Sequence, residues 1–208
     1  METSLSSLFV TKVWRDDLIQ KKGFARLLED LGEACAFIAQ EDQAGRRWCK
    51  DKGYKGYTSY ASLTDLPTRA SAFGQLKRVL DKEVAAFADA LYLDLGARKL
   101  VLDHLWINIL KPGGVHTSHI HPHSVISGTV YIDVPPGAGS LKLEDPRLSM
   151  MMAAPTRRTD APEEMQAFVY LKPEPGRLFM WESWLRHEVE QNLGREERVS
   201  ISFNYNWA

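Results

Sequence analysis

The residues of this chain whose type and spacing point to chemistry are its histidines. Four of the six histidines lie together in the segment HTSHIHPH, at positions 116, 119, 121 and 123. Alternate residues of an extended segment point to the same side, so His119 and His121 can direct two imidazole rings into one site. Imidazole nitrogens bind iron, zinc, copper and nickel. This pair therefore predicts a metal centre.

A third ligand has to come from a distant part of the chain. His187 is the one histidine that follows the cluster, and we expect it to complete a facial set of three ligands. The overlapping pair His121 and His123 is an alternative, which the intervening Pro122 disfavours. In a regular strand, His116 would point to the side opposite His119.

The order of motifs around the histidines supports a more specific hypothesis. The segment HIHPHSVISGTVYIDVPPGAGSLKLEDP is followed later by KPEPGRLFMWESWLRHEVEQNLGREERVSISFNYNW. This order resembles the iron(II)/2-oxoglutarate-dependent oxygenase superfamily. Within the superfamily it resembles a bacterial group with an HxHP…SG..Y signature and an H-x10-R-x-S ending. The resemblance covers residues 105–207, about half of the chain.

The resemblance implies a role for each matching residue. His119, His121 and His187 match the metal ligands, and Arg198 matches the arginine that binds the distal carboxylate of 2-oxoglutarate. A planar guanidinium suits a carboxylate because it donates two parallel hydrogen bonds. No catalytic residue is expected beyond the metal centre. The other residues expected to contact 2-oxoglutarate are Ser200, Tyr131, Asn108 and Asn204.

Some of these residues also have simpler interpretations. Arg198 would then pair with Glu196 or Glu197 at the surface, and Tyr131 and Ser200 would be ordinary strand residues. Two other groups fit a structural role better than a chemical one. Trp181 and Trp184 are expected to pack or to form a pocket wall, and Arg157 and Arg158 to be solvated.

The resemblance also implies a reaction and its cofactors. The protein would be an oxidoreductase that uses Fe(II) and 2-oxoglutarate. Decarboxylation of 2-oxoglutarate to succinate and CO2 would be coupled to hydroxylation of a C–H bond. The substrate expected is a small molecule or a peptide, and the sequence does not identify it.

Position 121 departs from the usual pattern of the superfamily. Most members have Asp or Glu two residues after the first histidine, which gives two histidines and one carboxylate. Here that residue is His121, and no acidic residue follows until Asp133. Three neutral ligands leave one more unit of positive charge on the metal centre. We therefore expect metal affinity, oxygen reactivity or metal identity to differ from the usual triad.

Two alternative functions remain open. The segment GGVHTSHIH fits the opening of a cupin motif, and three-histidine cupin dioxygenases use iron without 2-oxoglutarate. Against this, the expected downstream Glu is missing, and the stretch from Gly176 to His187 is too long for the second cupin motif. The other alternative is a barrel that binds a metal or a small ligand without catalysis. Turnover of 2-oxoglutarate would distinguish that alternative from the oxygenase.

The elements that position these residues fall into two parts. From residue 99 onward, about eight short apolar runs alternate with Gly- and Pro-containing turns, which is typical of a sandwich or barrel. With the resemblance, this predicts an α+β, mainly β fold whose core, residues 99–208, is a double-stranded β-helix, or jelly roll. A long loop, residues 148–165, interrupts the strands and is a candidate lid.

The first part, residues 1–98, is predicted to be mainly helical. Apolar residues at i, i+3 and i+4 predict one helix over Asp16 to Ala39 and another from Thr64 to Gly96. Ser4 to Val13 fits a short strand, and Gly45 to Ser62 fits a loop or an edge strand. Neither helix carries a chemical motif, so we expect both to pack on one sheet of a single domain, residues 1–208.

Composition bounds the remaining classes of function. The 208 residues are 44% hydrophobic and 25% charged, and the net charge is -1. Such a chain offers no broad positive field for nucleic acid or an anionic membrane. The two cysteines, Cys35 and Cys49, are too few for a disulfide framework. No long apolar run and no signal-peptide pattern is found, so we expect a cytoplasmic protein, with a homodimer as the default assembly.

Overall fold

The computed structural model describes residues 4–208, which contain ten β-strands and four α-helices. The helices are α1 (Phe24–Glu41), α2 (Gln43–Asp51), α3 (Leu66–Arg69) and α4 (Ser71–Ala90). The strands are β1 (Val13–Asp17), β2 (Gly56–Thr58), β3 (Leu100–Leu110), β4 (His116–His119), β5 (Ile126–Asp133), β6 (Leu141–Glu144), β7 (Phe168–Leu171), β8 (Arg177–Glu182), β9 (His187–Val189) and β10 (Arg198–Trp207). Three short 3-10 turns occupy Leu18–Gln20, Leu148–Met150 and Glu163–Met165.

The strands form two antiparallel sheets. The larger sheet has the order β1-β8-β5-β10-β3-β2, and the smaller has the order β4-β9-β6-β7. Strand β10 lies between β5 and β3 and pairs with both along most of its length. Because a strand paired on both sides cannot slip in register without losing both ladders, β10 holds its side chains in fixed positions.

The predicted β-rich part agrees with the observed strands. Residues 99–208 hold eight strands, β3 to β10, and the chain joins helices to antiparallel sheets as expected for an α+β fold. The glycine of the EPG turn, Gly176, has a φ of 79°, a left-handed conformation that glycine adopts without strain. The turn residues were therefore reliable guides to where strands end.

The N-terminal part is helical as predicted, but it also supplies both edge strands of the larger sheet. Strand β1 pairs with β8, and β2 pairs with β3. The strand predicted for Ser4 to Val13 is wrong, because pairing begins only at Val13 and residues 4–12 have no regular structure. The first helix begins at Phe24 rather than Asp16, because residues 13–17 pair with β8.

The segment Gly45 to Ser62 was predicted only in part. The edge strand β2 is present, but the segment begins within α2, which the sequence did not predict. The carboxylate of Asp42 accepts a hydrogen bond from the backbone N–H of Gly45 and caps this helix. The glycine and the charged residues of α2 had masked its helical spacing.

Helices α1 and α4 pack on one face of the larger sheet. Their buried side chains recur at the predicted helical spacing. On β10, Ile201 and Phe203 join this core, while Ser202 between them points to the other face. A second, smaller hydrophobic cluster lies on that other face and includes Leu141, Leu171 and Trp181.

Gly128 on β5 is required by close packing. A Cβ at this position would lie 2.7 Å from the carbonyl oxygen of Phe179 and closer still to the ring of Phe203. The glycine of the SG..Y signature therefore allows the phenyl ring to cross the strand. Cys35 and Cys49 are both free thiols, and both are buried. None of the helices within residues 4–208 has the length and apolar character needed to span a bilayer.

Candidate metal centre

The three histidines predicted as metal ligands lie together. One nitrogen from each of His119, His121 and His187 lies within 4.8 Å of the others. His119 stands opposite His187 across the β4–β9 pair, and His121 follows two residues after β4 ends. The Nε2 atoms of His121 and His187 are 3.2 Å apart. Two nitrogens that each bind a metal ion at about 2.1 Å and at a right angle are separated by about 3 Å, so this spacing fits a shared ion.

Backbone carbonyls set the protonation of two of these rings. Nδ1 of His119 lies 2.6 Å from the carbonyl oxygen of Thr117, and Nδ1 of His187 lies 2.9 Å from that of Leu185. A carbonyl only accepts, so each Nδ1 carries the proton and donates it. The lone pair of each Nε2 is thereby left for a metal ion, which is the usual arrangement of histidine ligands.

Burial keeps the imidazoles of His121 and His187 neutral. It lowers the pKa of His187 to about 3, with the nearby His119 adding to the effect, and it lowers the pKa of His121 to about 4. The ring of Trp181 packs edge-on at 4.6 Å from that of His187, and Trp106 stacks at 5.8 Å from His121. Metal binding requires neutral histidine, so these aromatic walls favour it.

The remaining histidines of the cluster take other positions. His116 lines the same cavity as the triad, although in a regular strand it would point to the side opposite His119. The reason is a register shift in β4 between His116 and His119, which breaks the alternation of side chains. The hydroxyl of Tyr54 lies 2.5 Å from Nε2 of His116. His123 is exposed and lies in a turn with a φ of 71°. The cluster of possible ligands contains His119 rather than His123, so the alternative pair His121 and His123 is not the one that the fold brings together.

The histidines open into a cavity of about 780 Å³ that both sheets line. Strands β4, β6 and β9 of the smaller sheet form one side, and β3, β5, β8 and β10 of the larger sheet form the other. Among the residues predicted to contact 2-oxoglutarate, those on the cavity wall are Arg198, Tyr131, Asn108 and Asn204. The cavity therefore brings the predicted ligands and most of the predicted contacts into one space.

Arg198 is a buried cation whose contacts include no carboxylate. It is 2% exposed, and its guanidinium donates to the carbonyl oxygen of Gly139 at 3.2 Å and to the hydroxyl of Ser200 at 3.4 Å. Its Nε has no hydrogen-bond partner, and none of the ion pairs formed by residues 4–208 includes it. A surface pair with Glu196 or Glu197 is not formed. A charge buried this way is costly unless an anion joins it.

Tyr131 adds a second unused donor beside Arg198. Its side chain is fully buried, and its hydroxyl has no hydrogen-bond partner among the described residues. The guanidinium carbon of Arg198 lies 5.2 Å from the centre of the Tyr131 ring. Two unsatisfied donors, one of them cationic, make this end of the cavity suited to a carboxylate.

The other predicted contacts have protein partners. Ser200 does not line the cavity, and its hydroxyl accepts from Arg198. The amide of Asn108 accepts from Thr58 and donates to Ser202, both at 3.0 Å. The side chain of Asn204 accepts from Ser127 at 2.8 Å and also faces His121, where it favours the protonated ring.

Part of the cavity wall comes from a segment that the sequence did not single out. Trp48 of α2 lines the cavity, as do Lys52, Tyr54 and Lys55 in the connection from α2 to β2. The only signal in the sequence was a local richness in Gly, Tyr and Lys, which is also typical of loops. Helices α1 and α4 contribute no residue to the described lining, in agreement with their predicted packing role.

The long loop, residues 148–165, lies outside the cavity wall. None of its residues, all of which the structure describes, lines the cavity. An ion pair between Glu163 and Arg15 ties it to β1, and Arg158 pairs with Asp160 within the loop. Arg157 and Arg158 are exposed, as expected for solvated residues. Trp181 forms a cavity wall, whereas Trp184 is 47% exposed.

Comparison with solved structures places the fold among known enzymes. A prolyl-4-hydroxylase from Pseudomonas putida is 16% identical and superposes with a TM-score of 0.62 over 94% of this chain and 92% of that chain. HygX from Streptomyces hygroscopicus, solved with nickel and 2-oxoglutarate bound, is 13% identical, with a TM-score of 0.59 over 95% of this chain and 82% of that chain. A prolyl hydroxylase from Trichoplax adhaerens, in complex with a hypoxia inducible factor peptide fragment, is 13% identical, with a TM-score of 0.60 over 93% of this chain and 83% of that chain. These likenesses define the fold.

The two-sheet fold places three clustered histidines where they could hold a non-haem metal ion. The model of the family described as "Putative 2OG-Fe(II) oxygenase" matches residues 104–204, the range that contains the histidine triad and Arg198. No curated protein matches the sequence significantly. Over residues 104–204 the chain therefore matches the 2OG-Fe(II) oxygenases, a family of oxidoreductases that use Fe(II) and 2-oxoglutarate, and the three clustered histidines lie within that range.

Proposed function

We propose that the protein is an Fe(II)- and 2-oxoglutarate-dependent dioxygenase that hydroxylates a small molecule or a peptide and forms succinate and CO2. The observation that carries this proposal is the position of Arg198. A buried guanidinium that has no carboxylate partner faces the same cavity as three clustered histidines. Among rival functions, only an oxygenase that uses 2-oxoglutarate needs both features in one space.

The proposed metal ligands are His119, His121 and His187. Their fit rests on the 3.2 Å spacing of two Nε2 atoms and on the two carbonyl-bound Nδ1 atoms. Bound Fe(II) with 2-oxoglutarate supplies the oxidising chemistry of the reaction. The protein holds the three rings, and Asn204 is proposed to orient His121, the one ligand without a carbonyl partner on Nδ1 among the described contacts.

The proposed anchor of 2-oxoglutarate is the pair Arg198 and Tyr131. Arg198 would donate to the distal carboxylate, and the hydroxyl of Tyr131 would find there the acceptor that the protein does not provide. Ser200 acts on the arginine rather than on the ligand, since its hydroxyl accepts from the guanidinium. Asn108, whose amide is already bonded, would shape the wall.

The fold around this site is proposed to be a double-stranded β-helix in one domain. Support comes from two antiparallel sheets that enclose the cavity and from the interleaved strand orders. Strands β1 and β2 from the N-terminal part complete the larger sheet, and α1 and α4 cover it. We therefore propose that residues 1–208 form a single unit rather than a helical part beside a separate core.

A three-histidine cupin-like dioxygenase and a metal-binding barrel without catalysis remain the alternatives. Both explain the histidines, and neither gives a role to a buried Arg198. The decisive experiment is anaerobic titration of the Fe(II)-loaded protein with 2-oxoglutarate, followed by the visible charge-transfer band of the chelate. We expect the band in the wild type, and at least a tenfold weaker affinity in Arg198→Lys, which keeps the charge but loses the planar donor pair.

The matched control is Arg147→Lys, since Arg147 is exposed and bonded to Asp145 outside the cavity. This control is expected to bind 2-oxoglutarate as the wild type does. An absent band in a wild-type protein that still binds iron would exclude the oxygenase and favour the two alternatives. Succinate formation, measured under air, then separates a catalyst from a barrel that only binds the cofactors.

A further inference from the structure

The charge of the cavity wall is one-sided. Its lining within residues 4–208 contains three cationic side chains, Arg198, Lys52 and Lys55, and no Asp or Glu. The chain as a whole has 27 acidic residues against 26 lysines and arginines, so composition does not explain their absence here. The described lining therefore carries positive charge that no acidic side chain within it balances.

The two lysines lie in the connection between α2 and β2. The backbone there is anchored to the KPGG turn, because the carbonyl oxygen of Lys55 accepts from the N–H of Lys111 at 3.2 Å. The ammonium group of Lys55 lies against Gly113, in the space that a side chain at position 113 would otherwise fill. Neither Lys52 nor Lys55 takes part in an ion pair of the described chain.

The cofactors of the proposed reaction leave this charge uncompensated. Fe(II) brings two positive charges, and its three histidine ligands are neutral, so the metal and the three cationic side chains carry five. The two carboxylates of 2-oxoglutarate cancel two of these, and three remain. A carboxylate ligand at position 121 would have cancelled one more. An anionic substrate relieves the remaining repulsion, which water screens in part because Lys52 and Lys55 are exposed.

Aromatic rings connect the mouth of the cavity to the metal ligands. The exposed Tyr60 packs edge-on against Trp106 at 5.2 Å, and Trp106 stacks on His121 at 5.8 Å. Trp106 is 6% exposed, whereas Tyr60 is 49% exposed, so the wall runs from solvent inward. Both rings line the cavity. Such a wall binds an apolar or aromatic body and leaves charge recognition to the lysines.

We propose that the substrate is a small organic acid whose carboxylate binds Lys52 and Lys55 and whose apolar or aromatic body lies along Tyr60 and Trp106 toward the histidines. This inference rests on the proposed function and names the substrate class of the same site. Arg198, which is buried, then binds 2-oxoglutarate, and the exposed Lys52 and Lys55 bind the substrate.

The test uses two probes that share a body and differ in charge, indole-3-acetate and indole-3-acetamide. Each is titrated by calorimetry, without oxygen, into protein loaded with Fe(II) and saturating 2-oxoglutarate, so that the inner anion site is filled. We expect the acid to bind about tenfold more tightly than the amide, and added NaCl to reduce the difference. The double variant Lys52→Met, Lys55→Met is expected to bind acid and amide equally.

Lys50→Met is the matched control, because Lys50 is exposed on α2 and lies outside the cavity lining. It is expected to keep the preference for the acid. Equal binding of both probes to the wild type, a preference that survives in the double variant, or no binding of either probe overturns the proposal. The 2-oxoglutarate band, recorded first on the same samples, separates these results from a failure of the proposed function.

Discussion

The Nε2 atoms of His121 and His187 lie 3.2 Å apart, although 66 positions of the chain separate the two residues. The antiparallel pairing of β4 with β9 brings them together, since it sets His119 opposite His187 and leaves His121 just beyond the strand end. The triad is thus built on the backbone ladder of the smaller sheet. Its geometry depends on strand register more than on packing of the rings.

Loss of His187 is expected to abolish tight metal binding. His187→Ala removes one of three nitrogens and leaves the other two without the ring that completes the set, so Fe(II) affinity should fall at least about 100-fold. Equilibrium titration with Fe(II) without oxygen measures this. The control is His123→Asn, which replaces the exposed histidine by a residue that accepts its left-handed backbone. A similar loss in this control would restore the His121–His123 pair as a ligand set.

Tyr131→Phe is expected to separate a ligand-binding role from a structural one. The buried hydroxyl has no partner, so its removal should leave the free energy of unfolding unchanged or raise it by about 1 kcal/mol. Affinity for 2-oxoglutarate should fall about tenfold, because the carboxylate loses one donor. Denaturant unfolding and the charge-transfer titration give the two values. Lower stability with unchanged affinity would identify Tyr131 as a packing residue only.

The metal-free protein is expected to lose stability as the pH falls below about 6. Burial, with help from Arg198, lowers the pKa of His116 to about 3 from an ordinary value of 6.5. Between pH 6.5 and about 3, His116 is protonated in the unfolded chain but neutral in the folded chain. The free energy of unfolding therefore drops by about 1.4 kcal/mol per pH unit for this residue as the pH falls through that range. His116→Gln keeps an acceptor for Tyr54 and does not titrate. Denaturant unfolding at several pH values should show a slope smaller by one proton, and an unchanged slope would contradict the assignment.

Gly128→Ala is expected to destabilise the fold. The added methyl group would overlap the ring of Phe203 and the carbonyl of Phe179, which are both held in the sheet, at a cost of about 1–3 kcal/mol. Gly32→Ala in α1 is the matched control, since its Cβ would meet only a side-chain carbon at an ordinary 3.7 Å. Helix propensity should make that change neutral or stabilising by about 0.5–1 kcal/mol. Equal losses of unfolding free energy in both variants would contradict the prediction, since they would show that the ring of Phe203 can move away from an added methyl group at position 128.

Much of the site was readable because its residues lie close together in sequence or at motif spacing. His119 and His121 share one segment, and Arg198 follows His187 by the interval that the superfamily shows. The strands were readable from Gly and Pro turns, and α1 and α4 from their apolar spacing. These features depend on residues that are near one another in the sequence, so they can be recognised without knowing the structure.

The parts that were missed depend on contacts between distant segments. Strand β1 forms because β8 offers an unpaired edge, so its start at Val13 was not visible in its own residues. The side to which His116 points follows from a bulge, and the position of Tyr54 follows from how α2 ends near that bulge. In the sequence, Lys52 and Lys55 look like ordinary loop lysines. Their position in the cavity wall depends on the contact between their segment and the KPGG turn, which is distant in sequence.

The histidine triad belongs to the smaller sheet and its flanking turn, whereas Arg198 and Tyr131 belong to the larger sheet. In the proposed site, a molecule of 2-oxoglutarate would therefore contact both sheets, with one end on the metal and the other on the guanidinium. The distance between the sheets, which the backbone fixes, would then limit the length of a ligand that can reach both the metal and the guanidinium.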